Sequence, residues 1–306
     1  MKGCEMNALL NALRHQVAER GVEGLKSTLI PRVDLFKVTQ PLALPAEIYP
    51  PFISLIVQGK KTLRVGDRLL TYSAGQVFIA SFDLPATGYI PAASEAEPYL
   101  AVRLTLDFTL LGDLLLQMPL SAEISTAPAF AIGTVSEALL EAWLRMVRLS
   151  DRPEEIKVMA PLLEREILFR TLQGAQGEIL RQAVDIQSHF SKLRAAIAFM
   201  RSHSASPLRI ADLARLAGMS LSVFHRRFKA STGLTPLQYQ KQLRLYEARS
   251  LLLRRPGNVA AVAAEVGYQS LTQFTREYAR LFGNPPARDS KNLRRSADTD
   301  TRLPWE

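Results

Sequence analysis

Residues 208–286 carry one pattern twice, and few folds satisfy such a repeat. The first copy reads IADLARLAGMSLSVFHRRFKASTGLTP and the second VAAVAAEVGYQSLTQFTREYARLFGNPP. Leu221, Phe224, Phe228, Gly233 and Pro236 recur 50 residues later as Leu271, Phe274, Tyr278, Gly283 and Pro286. Gly218 recurs 49 residues later as Gly267, so the second turn holds one extra residue. A repeat of this kind fixes architecture before any single residue is considered.

Each copy predicts a short helix, a glycine turn and a second helix. Ile210, Leu213, Ala214 and Ala217 fall at helical spacing. Ser220 and Ser270 stand where a capping hydroxyl belongs. Leu221, Phe224 and Phe228 then form a buried stripe, matched by Leu271, Phe274 and Tyr278. The remaining face is polar and cationic: Ser222, His225, Arg226 and Lys229 in the first copy, Thr272, Gln273, Thr275, Arg276 and Arg280 in the second. A helix–turn–helix unit has this organisation. Between the copies, Thr235–Pro236 opens a run without Gly or Pro to Arg254. As a helix it spans about 28 Å, close to the roughly 34 Å between successive major-groove faces of a duplex.

Charge follows the same division. Residues 192–291 hold 17 Lys and Arg against 5 Asp and Glu, while the rest of the chain holds 21 against 24. The whole basic excess of this +9 chain therefore lies on the repeat, which points to a polyanionic partner there. Arg226 and Arg276 suit bidentate bonds to guanine, Ser222 and His225 single bonds at base edges, and the methyls of Thr272 and Thr275 thymine contacts. Ser220, Arg227, Lys229, Ser270 and Arg280 suit phosphates. Arg244 suits a phosphate or a local acidic partner such as Glu247, and both Arg244 and Arg249 also suit a structural role in the long helix.

The first half differs in kind. Met6, Leu9, Leu10, Leu13 and Val17 suggest an amphipathic lead-in helix, broken at Gly21 and Gly24. Short strands are then expected at Val33–Val38, Ile53–Gln58, Thr62–Val65, Arg68–Tyr72, Gln76–Phe82, Gly88–Ile90 and Tyr99–Leu106. Gly66–Asp67 reads as a hairpin turn, Lys60–Lys61 as a solvated hairpin end, and Asp83–Leu84–Pro85 as a turn rather than a pocket rim. Strands at this spacing suggest a sandwich or barrel. Phe78, Phe82, Tyr89, Tyr99 and Arg103 are the candidates for lining an effector cavity, though each also suits ordinary core or surface. Residues 107–149 and 156–171 read as helical, the second with Leu162, Leu163, Ile167 and Leu168 as its buried stripe. After Pro286 the chain is polar, and 291–306 reads as a disordered tail.

Chemistry finds little foothold. The lone Cys4 excludes an internal disulfide, the four histidines are scattered, and no metal-ligand motif occurs. With no apolar run of spanning length and no secretion leader, the expectation is a cytoplasmic protein that is not an enzyme and holds no cofactor or metal.

The 192–288 region resembles the DNA-binding domain of the AraC/XylS family of transcription regulators. Ala217, Gly218, Ser220, Phe224, Phe228, Thr232, Gly233, Pro236, Tyr239, Arg244, Ala248, Arg249, Leu251 and Leu252 carry one half of the likeness. Val262, Ala263, Val266, Gly267, Tyr268, Ser270, Phe274, Arg276, Tyr278, Phe282, Gly283 and Pro286 carry the other. The stretch from Pro50 to Asp107 also resembles the N-terminal domain of one subgroup, through Gln58, Gly59, Lys60, Gly66, Asp67, Gly75, Asp83, Leu84, Pro85, Gly88, Pro98 and Tyr99. The resemblance implies a two-domain α+β protein. Residues 1–185 would form a cupin-like β-barrel with packing helices, for effector binding or dimerisation, and 186–290 an all-α double helix–turn–helix domain. It also implies base contacts at Ser222, His225, Arg226, Thr272, Thr275 and Arg276, a small-molecule effector, a homodimer and contact with RNA polymerase. The expected function is effector-responsive activation at promoter DNA. The alternative is a DNA-binding regulator whose barrel is only structural or dimerising.

Overall fold

The computed structural model describes residues 2–66, 68–118, 130–184, 189–255 and 257–292. No described helix is long and apolar enough to cross a membrane. The chain opens with helix α1 (Lys2–Arg20) and runs through strands β1 (Gly24–Ser27), β2 (Val33–Val38), β3 (Leu42–Tyr49), β4 (Phe52–Gln58), β5 (Lys60–Val65), β6 (Arg68–Ser73), β7 (Gln76–Ala80), β8 (Leu84–Ile90) and β9 (Tyr99–Thr105). They form two antiparallel sheets. One has the order β1-β2-β9-β4-β7-β10, with β10 at Phe130–Thr134, and the other β3-β8-β5-β6.

Alternation along the six-stranded sheet feeds two cores. Val33, Leu35, Ile53, Leu55, Val102 and Leu104 join a cluster with Leu13 and Val17 of α1 and with Trp143 and Ile167 of the later helices. The opposite face gives Val38, Phe52, Ile56, Phe78 and Tyr99 to a second cluster, with Leu63, Val65 and Tyr72 from the four-stranded sheet. The helical layer comprises α2 (Phe108–Leu115), α3 (Glu137–Arg148) and α4 (Pro153–Gln173). Asp107 caps α2 and Ser136 caps α3, each accepting from backbone amides of the first turn.

Helix α5 (Gly177–Val184) precedes the second half, with Ile179 and Leu180 buried. There follow α6 (His189–Ser202), α7 (Ile210–Leu216), α8 (Leu221–Thr232), α9 (Pro236–Arg254), α10 (Val259–Glu265) and α11 (Leu271–Phe282). The two repeats are not equivalent in packing. Leu213, Phe224, Phe228 and Tyr239 belong to the same cluster as the barrel interior. Val262, Phe274 and Tyr278 form a core of their own with Leu245, Ala248 and Leu252 of α9.

Several expectations need correction. Residues 107–149 are not all helical, because Phe130–Thr134 pairs with β7 as an edge strand. Strand β3 was not anticipated: its proline obscures it, since Pro45 sits at an irregularity between Leu44 and Glu47. Such sites tolerate a missing amide proton. Leu162 is not in the buried stripe of α4 but 56% exposed. Lys61 is not solvated. It points inward on β5 at 7% exposure, against the rings of Phe36 and Tyr49, while Lys60 stays outside. The chain after Pro286 continues as a short helix to 292, and its Asp289 and Ser290 are buried. Residues 293–306, most of the expected tail, lie outside the described residues.

Candidate nucleic-acid interface

The second helix of each repeat is built alike. Ser220 caps α8 by accepting from Val223 N, and Ser270 caps α11 by accepting from Gln273 N. Each ends at a glycine in the left-handed region, Gly233 at φ 74° and Gly283 at φ 79°, where a side chain is disfavoured. Between the caps, Phe224 and Phe228 in α8, and Phe274 and Tyr278 in α11, are wholly buried. That burial leaves Ser222, His225, Arg226 and Lys229 exposed on α8, with Arg227 half-buried. On α11 Thr272, Arg276 and Arg280 are exposed and Thr275 is half-buried. The six candidate base-reading residues thus occupy matching, outward positions on two helices.

The connecting rod is well defined. Thr235 and Gln238 form a reciprocal capping box at its start, with Thr235 N donating to Gln238 Oε1 at 2.9 Å and Gln238 N donating to Thr235 Oγ1 at 3.3 Å. Pro236 occupies the first turn, and the helix runs 19 residues to Arg254. Arg244 spends its donors on backbone: on Ser204 O, Ser206 O and Ala205 O from the first repeat's leading loop, and on Gly267 O from the second repeat's turn. It ties the two repeats to one rod. Arg249 makes a two-point bond to Asp289, at 2.8 and 3.1 Å, and Tyr278 Oη donates to the same carboxylate at 2.9 Å. These arginines are structural, as their positions suggested.

The first repeat is also fastened to the barrel. Tyr239 Oη on α9 donates to the carbonyl of Asp83 at 2.8 Å, and Arg201 on α6 pairs with the Asp83 carboxylate. Burial raises that carboxyl above its ordinary value against the opposing pull of Arg201. The Asp83–Leu84–Pro85 segment is therefore a joint between domains more than a free turn, and Leu84 and Pro85 already belong to β8. At the β5–β6 hairpin, Gly66 meets the carbonyl of Gly233 so closely that no Cβ fits between them. A Cβ on Gly233 would in turn lie 2.9 Å from Val65 O. The backbone of the hairpin thus rests on the C-terminal cap of α8. Beside this contact lies a cleft of about 640 Å³, walled by Arg68 from β6 and by Ser222, His225, Arg226 and Lys229 from α8. Nothing in the sequence of Arg68 or Asp83 signals these roles; both arise from domain packing.

The barrel candidates are not gathered at one place. Phe78 stacks on Tyr72 at 5.4 Å, and Tyr99 meets Phe36 edge-on at 5.6 Å, both inside the barrel. Arg103 is inside as well, held by Asp34 with Nη2 to Oδ2 at 2.8 Å. Phe82 is buried beside the joint at Asp83, and Tyr89 is 46% exposed on the outer face of β8. Lys61, expected at a solvated hairpin end, joins this interior instead. Its ammonium is pushed down to about 8, first by burial and then by Arg103, with Glu47 opposing. The hydroxyls of Tyr49 and Tyr72 are buried nearby, that of Tyr49 beside Glu47 and that of Tyr72 beside Ser54.

Comparison with known proteins places both halves. A family described as the AraC-type transcriptional regulator N-terminus matches residues 29–179, and a helix-turn-helix domain matches residues 213–292. Among curated proteins, the HTH-type transcriptional activator RhaS of Escherichia coli O1:K1 / APEC is 28% identical over 152 residues, covering 50% of this chain and 54% of that protein. The chain thus spans about half the length of the curated relatives it matches. Among solved structures, unsaturated fatty acid bound wild-type ToxT from Vibrio cholerae strain SCE256 aligns over 84% of this chain and 94% of that one, with a TM-score of 0.54 and 11% identity. ToxT from Vibrio cholerae O395 aligns over 84% and 96%, with a TM-score of 0.54 and 10% identity. That likeness is one of fold.

Proposed function

This chain belongs to the AraC/XylS family of transcription regulators, and we propose that it is an effector-responsive activator that reads promoter DNA through α8 and α11. The carrying observation is that Arg226 and Arg276 stand exposed at equivalent positions of two capped helices set on one rigid rod. Ser222, His225 and Arg226 read bases from the first head, and Thr272, Thr275 and Arg276 from the second. Arg227, Lys229 and Arg280, with the hydroxyls of Ser220 and Ser270, hold the phosphate backbone. Activation is the reading that similarity to RhaS favours, and contact with RNA polymerase is its natural route. Fluorescence anisotropy with a duplex from the cognate promoter and a scrambled duplex tests the claim. Equal affinity for both at physiological salt contradicts it.

The effector reading rests on the barrel. Its interior mixes the aromatic rings of Phe78 and Tyr99 with the polar groups of Arg103 and Lys61, and a solved relative in fold carries a fatty acid. The effector is a small molecule whose binding shifts the balance between DNA-competent and DNA-incompetent arrangements of the two domains. The homodimer reading rests on α4, whose outward face shows Val158 and Leu162. Single exposed apolar residues are ordinary, but two at i and i+4 form a seam. Leu162→Glu is expected to leave the monomer folded and to shift sedimentation from dimer to monomer; an unchanged dimer places the interface elsewhere.

A further inference from the structure

The cleft between the domains has one sign of charge. Arg68, Arg226 and Lys229 line it with His225, and Ser222 and Thr235 add hydroxyls. Among the described residues no carboxylate lines it, and none of the three cations forms an ion pair. Arg68, Arg226 and Lys229 are each exposed to solvent, and cations gathered in one cleft repel one another and give it a positive potential. A small multivalent oxyanion relieves that repulsion, and arginine matches phosphate oxygens two at a time. At about 640 Å³ the cleft has the size of a small-molecule site.

Its position gives occupancy a consequence. One wall is the face of α8 that carries Ser222, His225 and Arg226, and the other comes from the barrel hairpin held on the Gly233 cap, while the barrel is fastened to α9 elsewhere, at Asp83. With the hairpin docked there, Arg68 faces the same cleft as Ser222, His225 and Arg226 of α8. We infer that this cleft binds a small phosphate compound, shared between Arg68 of the barrel and Arg226 and Lys229 of the first reading helix, and that the bound compound keeps that helix from DNA. The inference rests on the reading of α8 as a DNA-contacting helix. Phosphate oxygens also come from the DNA backbone itself, and the test separates the two sources.

The experiment uses the full chain with inorganic pyrophosphate as probe, in calorimetry at fixed ionic strength. The wild type is expected to bind one equivalent and Arg68→Ala to bind about tenfold more weakly, the scale of a lost charge-assisted contact. Arg64→Ala, exposed on the same hairpin but outside the cleft lining, is expected to bind as the wild type does. Pyrophosphate is expected to displace a promoter duplex from the wild type beyond the effect of matched sodium chloride, and not from Arg68→Ala. That variant is expected to hold the duplex as tightly as the wild type or more so. Absence of pyrophosphate binding, or equal weakening in Arg64→Ala, overturns the site. Weakened duplex binding by Arg68→Ala overturns it too, because Arg68 is then a contact to DNA phosphate. Pyrophosphate binding as expected, in a protein that binds no duplex, leaves the site standing and removes the proposed function instead.

Discussion

Arg226 has a plain role to lose. It is exposed, pairs with no described carboxylate and sits one turn after Ser222 on α8. Arg226→Ala is expected to weaken cognate binding by about 1–3 kcal/mol if two bonds to guanine are lost. Anisotropy on a scrambled duplex is expected to change much less; an equal loss on both marks a phosphate contact. Lys61 makes the opposite case, a charge where an apolar residue costs less. Its folded value of about 8 lies below its ordinary 10.5, so between these limits the unfolded chain binds more protons. Stability therefore rises with pH across that window, and the burial penalty is fully present below it. Tyr49, Tyr72 and Tyr99 are all raised by burial, which lowers stability above pH 10, but equally with or without Lys61. Lys61→Met is expected to be more stable than the wild type at pH 7 by about 3 kcal/mol, with the gap closing toward pH 10. Urea midpoints at pH 7 and pH 9.5 check this, and a constant gap contradicts it. The inward turn of Lys61 was hard to read because an exposed hairpin lysine and a buried one look alike in sequence. Only the pairing of β5 with β6 and β8 sets the face.

Elements were legible where their signals are local. The caps at Ser220, Ser270 and Thr235 and the closing glycines at Gly233 and Gly283 lie at the positions where short-range rules put them. Strand β10 was missed because its neighbours are helical and its partner, β7, lies about 50 residues away in sequence. The helix after Pro286 was missed for a related reason. Its residues are polar, yet Asp289 is 4% exposed because Arg249 and Tyr278 satisfy it. A buried pair broken on one side leaves an uncompensated charge. Asp289→Ala is therefore expected to destabilise the second head by about 3 kcal/mol, seen as faster amide exchange in α10 and α11 while the barrel core keeps its protection. Uniform loss of protection throughout the chain would contradict that confinement.

At the scale of the whole molecule, the repeat and the uneven charge announced the DNA-binding half, but not how the halves meet. The first head shares a core with the barrel while the second head has its own. A change inside the barrel therefore reaches α8 through a shared core, whereas α11 meets the barrel at β3 without sharing that core. The most direct test of two reading heads is methylation interference at guanine N7 on a promoter fragment, with wild type, Arg226→Ala and Arg276→Ala. Two clusters of interfering guanines about one helical turn apart are expected, with one cluster lost in each variant. A single cluster, or two that both persist in the variants, would contradict two reading heads.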